Sequence, residues 1–158
     1  MQSSKISSKH LQIFALISLT FASCASSKQP ASKIPEPQIG IEQAVGPAEL
    51  GYPYGPIEIK YNLAVQNNAA EPITLIRVDL QSSNPGGGAY SLRRDFHNVH
   101  QTIPPNSIGI VSFWAKAFSW GRGPRDTEPV TVRGVAYFES PSGTTQKIFI
   151  RELSQYGQ

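Results

Sequence analysis

Asp95, His97 and His100, within Asp95-Phe96-His97-Asn98-Val99-His100, form the one cluster of metal-ligand residue types in the chain. Zinc requires imidazoles and carboxylates converging on a single point. On an extended segment Asp95 and His97 share a face while His100 points away, so the three converge only across a turn. The chemistry such a trio would support is that of a metal site or a small enzyme. Solvated histidines are the simpler reading, because an imidazole becomes a ligand only when further ligands stand beside it.

Other catalytic patterns are absent. Gly86-Gly87-Gly88 is followed by Ala89-Tyr90-Ser91, without the lysine and hydroxyl residue that a phosphate-cradling loop needs, so it reads as a turn. Serines are plentiful, but no Gly-x-Ser-x-Gly elbow presents one as a nucleophile. Asp126 and Glu128 stand beside Arg125 in a loop and are more simply solvated. No catalytic residue and no cofactor follows from these residues, and the chain reads as a non-enzyme.

Recognition is a different matter. Phe118-Ser119-Trp120-Gly121-Arg122-Gly123-Pro124-Arg125 combines the residue types most enriched at binding hot spots, in a stretch expected to be loop from Ser119 to Pro129. Trp120, Arg122 and Arg125 are the candidate partner-binding residues. The competing arrangement has Trp120 folded back over the core and the arginines solvated.

Cys24 is the only cysteine. Upstream stand Lys5 and Lys9, then an apolar run from Leu11 to Phe21 interrupted by Gln12, Ser18 and Thr20, then Ala22 and Ser23. A helix over that run would reach roughly 17 Å, short of the ~30 Å hydrocarbon core of a bilayer. The charged, apolar and small segments in that order read as a secretory signal. The end of the signal resembles the lipobox of bacterial lipoproteins, with Phe21 where leucine is usual. The resemblance implies cleavage before Cys24, acylation of that residue and attachment to the membrane; two or three acyl chains anchor stably where one does not. Ala25, rather than an aspartate, then implies the outer membrane of a Gram-negative cell, facing the periplasm or the surface. Ordinary cleavage after Ala25, giving a secreted or periplasmic protein, is the alternative, and a cytosolic protein with an amphipathic N-terminus is a third reading. With no second thiol there is no disulfide framework, so Cys24 has no competing structural task.

The chain thus divides into a signal at residues 1–23, a tether at residues 24–38 and a folded domain at residues 39–158. Small, polar and proline residues dominate the tether, which cannot bury enough surface to fold. The formal net charge is +3, with 14 basic and 11 acidic residues. Lys5 and Lys9 belong to the signal, so the remainder carries 12 basic against 11 acidic residues. A nearly neutral domain lacks the concentrated basic face that nucleic acid requires. Roughly 135 residues fit one domain with a core of its own.

What must position these residues is a set of strands. Ile57, Ile59, Tyr61, Leu63 and Val65 alternate with Glu58, Lys60, Asn62, Ala64 and Gln66, a strand with one buried face. Asn67 to Pro72 reads as the turn of a hairpin leading to a second strand, Ile73–Gln81, where the apolar parity slips as at a β-bulge. A short strand at Ala89–Arg93 follows, then an ambiguous stretch to Thr102. Ile103-Pro104-Pro105-Asn106-Ser107 is a stiff turn. Ile108–Phe118 is a long strand, and Val130–Glu139 and Gln146–Leu153 flank a hairpin turn at Ser140-Pro141-Ser142-Gly143. About six or seven strands without a helix indicate an all-β, antiparallel two-sheet sandwich of the immunoglobulin or fibronectin type III kind.

Asn67, Pro72, the Ile103-Pro104-Pro105-Asn106 turn and Val132-Arg133-Gly134-Val135 also resemble the water-stress domain of late-embryogenesis-abundant proteins, over roughly residues 57 to 150. That resemblance implies the same sandwich architecture and, as one function class, protection during drying. The function expected first is a lipid-anchored envelope module that binds or assembles through loops or a strand edge. Its partner would be an envelope protein or a glycan. A metal site or small enzyme at Asp95, His97 and His100 is the alternative.

Overall fold

The structure is a computed structural model and describes residues 35–84 and 86–154. Cys24, the signal and all but the last residues of the tether lie outside them. Eight strands run β1 (Gln38–Val45), β2 (Tyr54–Gln66), β3 (Ile73–Ser82), β4 (Tyr90–Leu92), β5 (Asp95–Ile103), β6 (Ile108–Trp120), β7 (Val130–Ser140) and β8 (Gly143–Leu153). They form two antiparallel sheets, ordered β1-β2-β6-β4 and β5-β3-β7-β8. Seven of them occupy the places of an immunoglobulin constant-type sandwich, four strands against three, and β5 is added beside β3.

Period-two alternation builds the core. Ile57, Ile59, Tyr61, Leu63 and Val65 of β2 face inward, as do Val130, Val132, Ala136 and Phe138 of β7. The parity slip in β3 is a bulge: Leu75 pairs with Phe138 and Arg77 with Tyr137, leaving Ile76 over, so that Val78 and Leu80 return to the core. Between Tyr61, Tyr90 and Gln43 runs a polar thread through this apolar interior. The Tyr90 hydroxyl donates to Gln43 Oε1 at 2.6 Å, so the 2.7 Å contact between the two phenols has Tyr61 as its donor. Gly134 leaves room for a neighbour across the sheet: a Cβ there would lie 2.2 Å from the Phe149 ring.

Three sequence expectations change. Residues 67–72 do not close a hairpin, because β2 and β3 belong to different sheets. The reason is Asn67. It is buried, its Oδ1 accepts from Ala69 N–H, and its Nδ2 donates to Glu71 O, Ile103 O and Pro104 O. It thereby pins this crossover to the Pro104–Ser107 turn. The ambiguous stretch before Thr102 is a full strand, β5, which brings the count to eight. Ser119 and Trp120 are not loop; they extend β6 and pair with Gly55 and Tyr54.

Candidate functional site

β2 and β6 pair in unbroken register over their full length, from Tyr54↔Trp120 to Gln66↔Ile108. Their inward parity fills the core, so the even-numbered side chains form the outer face of the sheet. A polar row crosses that face at its middle: Ser112 Oγ donates to Asn62 Oδ1 at 2.6 Å and Asn62 Nδ2 donates to Glu42 Oε1 at 2.9 Å. Beyond it, toward the Trp120 end, the face is aromatic and cationic.

Tyr54 is 76% exposed, Trp114 48% and Trp120 39%. The Phe118 ring stands edge-on to Tyr54 at 5.4 Å and packs at 5.0 Å against Trp120. Cations sit beside these rings. Lys60 Nζ is 5.9 Å from the Trp114 centroid and the Arg122 guanidinium is 5.6 Å from that of Tyr52. Gly121, at φ +76°, turns the chain sharply after Trp120; a Cβ in this left-handed conformation would also press on Tyr54. Trp120 therefore stands on the outer face of the sheet rather than over the core.

Two open grooves flank the aromatic rows. One, of about 840 Å³, lies between Leu50 and Pro53 on one side and Trp114 and Phe118 on the other. The second, of about 680 Å³, runs past Trp120 to Ser82, Ser83 and Ser91. Arg93 and Phe118 line both, so the grooves adjoin at the junction of β6 with β4.

Arg122 thus stands over Tyr52, just before β2, while Trp120 lies on this surface. Arg125 does not join it: it donates to the Gly86 carbonyl, while Glu128 accepts from Gly88 N–H at 3.2 Å. The 121–129 loop is laced to the glycine turn, which gives Gly86-Gly87-Gly88 a structural task. Trp114, Tyr54, Lys116 and Arg93 were not singled out from the sequence. The available signal was parity within β6, whose even positions carry both tryptophans while the odd ones carry Gly109, Ala115 and Ala117.

The metal-ligand types are arranged differently. His97 stacks on Phe113 at 4.5 Å, and its Nε2 lies 3.8 Å from Asp95 Oδ2, too far for a hydrogen bond. Burial pushes its pKa below the ordinary imidazole value, against the pull of Asp95 and Asp79. His100, at φ +56°, sits in the bulge of β5 and is exposed on the opposite face. Among the described residues, no three side chains of metal-ligand type come together. The Asp95 carboxylate caps backbone instead, accepting from Phe96 N–H at 2.9 Å and approaching Lys116 N–H at 3.5 Å.

No family model matches the chain, and no curated protein matches it either. Solved structures do resemble it. An X-ray structure of a Northeast Structural Genomics Consortium target superposes with a TM-score of 0.50 at 16% identity, over 77% of this chain and 87% of that one. The likeness is one of fold. A crystal structure of a protein from Archaeoglobus fulgidus gives 0.49 at 15% identity, over 77% and 96% of the two chains. The yeast GGA1 GAE domain gives 0.46 at 16%, over 75% and 92%.

Proposed function

We propose that this protein is a non-catalytic binding module of the bacterial envelope, held to the membrane by a lipid on Cys24. Its partner is met by the aromatic and cationic end of the β2–β6 face. The observation that carries the binding reading is the exposure of Tyr54 and Trp120, paired across two strands, with Trp114 farther along the same sheet face. Large rings left in water on a rigid strand pair cost solvation without contributing to the core, and such patches mark interaction sites. The anchoring reading is supported by the Lys5-to-Cys24 sequence.

The geometry suits the two parts together. The chain enters the domain at Gln38, which pairs with Gln66, whereas the aromatic cluster begins at Tyr54. Twelve residues of β2 separate those ends, about 40 Å at ~3.3 Å per residue. Attachment at one end leaves the other free for a partner.

Two measurements test the proposal. Mass spectrometry of the mature N-terminus should show an acylated Cys24, and Cys24→Ser should release the protein from membranes; an unmodified N-terminus after Ala25 would remove the anchor. Trp120→Ala combined with Arg122→Ala should abolish capture of the envelope partner at an unchanged melting temperature, whereas Arg125→Ala should retain it. Loss of the fold in the double variant would mean that Trp120 is structural.

A further inference from the structure

We infer that the aromatic end of the β2–β6 face takes an anionic glycan strand, an inference that rests on the binding-module reading above. Three features of the surface select this chemistry. The first is the pairing of rings with cations. A sugar ring lays polarised C–H groups on the negative face of an aromatic ring, and an acidic substituent then projects to the side, where a cation meets it. Trp114 has Lys60 beside it, and Phe118 shares its grooves with Arg93.

The second feature is charge. Arg93, Arg94 and Lys116 line the two grooves against Glu58 as the only lining carboxylate. Arg94 also lies 3.6 Å from Asp79, yet its side chain is 76% exposed and can turn to a ligand. The nearby acids are engaged with backbone: Glu49 accepts from Gly46 N–H at 2.6 Å, and Asp95 is held as described. An acidic ligand meets net positive charge along the whole track.

The third feature is the backbone beneath Phe118. Residues 117–119 of β6 pair with β2 on one side and with β4 on the other. At these three residues no main-chain edge is open, so recognition there runs through rings and charges, whereas residues 54–59 of β2 pair, among the described residues, with β6 alone. Two adjoining grooves on one face suit an elongated polymer better than a compact ligand. A lipid surface fits less well, because the rings lie along a sheet face at the end remote from Gln38.

The test uses the full-length protein in detergent, with binding measured by calorimetry. The probes are polygalacturonate and hyaluronate as anionic glycans, dextran as a neutral one, polyphosphate as an anion without sugar, and phosphatidylglycerol vesicles. Binding to at least one anionic glycan is expected, weakening as salt screens the exposed cations. Trp114→Ala and Trp120→Ala should each weaken it about tenfold, as aromatic hot spots do. Arg93→Ala with Lys116→Ala should flatten the salt dependence. Near-ultraviolet circular dichroism confirms that each variant is folded. Equal binding to dextran would overturn the anionic requirement, and equal binding to polyphosphate would overturn the role of the rings. Binding to vesicles alone, or to no probe, would overturn the glycan. If capture of an envelope protein is still lost in the Trp120 and Arg122 double variant, the binding-module reading survives that outcome.

Discussion

Asn67 holds two turns together through one side chain, and its replacement separates amide from shape. Asn67→Ala leaves the carbonyls of Glu71, Ile103 and Pro104 without this donor and should cost about 2–4 kcal/mol in urea unfolding. Asn67→Asp keeps the acceptor for Ala69 N–H but sets a carboxylate against those three carbonyls, so it should do no better; a stable aspartate variant would show that the donors are dispensable. Tyr61 gives a second handle. Burial, then the neighbouring Tyr90, hold its phenol well above the ordinary value of 10.0. The unfolded chain loses that proton first, so Tyr61 favours folding undiminished below pH 10 and less and less above it. Phenolate absorbance from Tyr61 should therefore appear only with unfolding, and Tyr61→Phe should remove that signal. His97 works at the acid side. Its folded pKa is depressed by burial, so the unfolded chain takes up a proton first as pH falls below 6.5. Stability should be flat above that pH and decline from there down to the folded pKa. Urea midpoints between pH 7.5 and 5 should lose part of this slope in His97→Gln; an unchanged slope would place the acid sensitivity in another group.

At the scale of elements, β7 and β8 depend on a missing side chain. Gly134→Ala would drive a methyl into the Phe149 ring and should cost about 1–3 kcal/mol by overpacking. Phe149→Leu in the same chain should recover part of that loss, and absence of recovery would mean that the strain is in the backbone. The period-two pattern made β2 readable, and a slipped parity marked the bulge in β3, because both signals are local. β5 was opaque for a physical reason: its inward residues Asp95, His97 and Gln101 are polar and only half-buried, so no apolar alternation distinguishes it from loop. The assignment of β2 and β3 to separate sheets was equally hidden. It depends on Asn67 reaching residues more than thirty positions away, and a turn sequence does not carry that distance. The aromatic surface was half legible. Trp120 and Arg122 stood out by type, but Trp114 and Tyr54 join them only through the register of two strands, which spacing along one chain does not show.

For the molecule as a whole, the two ends of the β2–β6 pair carry different expectations. With the proposed anchor and ligand, shortening or lengthening the residues before Gln38 should alter membrane reach and leave glycan affinity unchanged, which calorimetry on such variants would check; a change in affinity would mean that this segment touches the ligand surface. The connection between β1 and β8 has a consequence in time rather than in space. Glu36 binds Lys147, and Arg151 reaches the Ile39 carbonyl at 3.4 Å, so the seam between the sheets joins the first strand to the last. β3 likewise finds its β7 neighbour only after Val130. Such distant pairings fold slowly, in milliseconds to seconds. A chain emerging N-terminus first cannot join its first strand to its last until β8 arrives, so it closes in one late step.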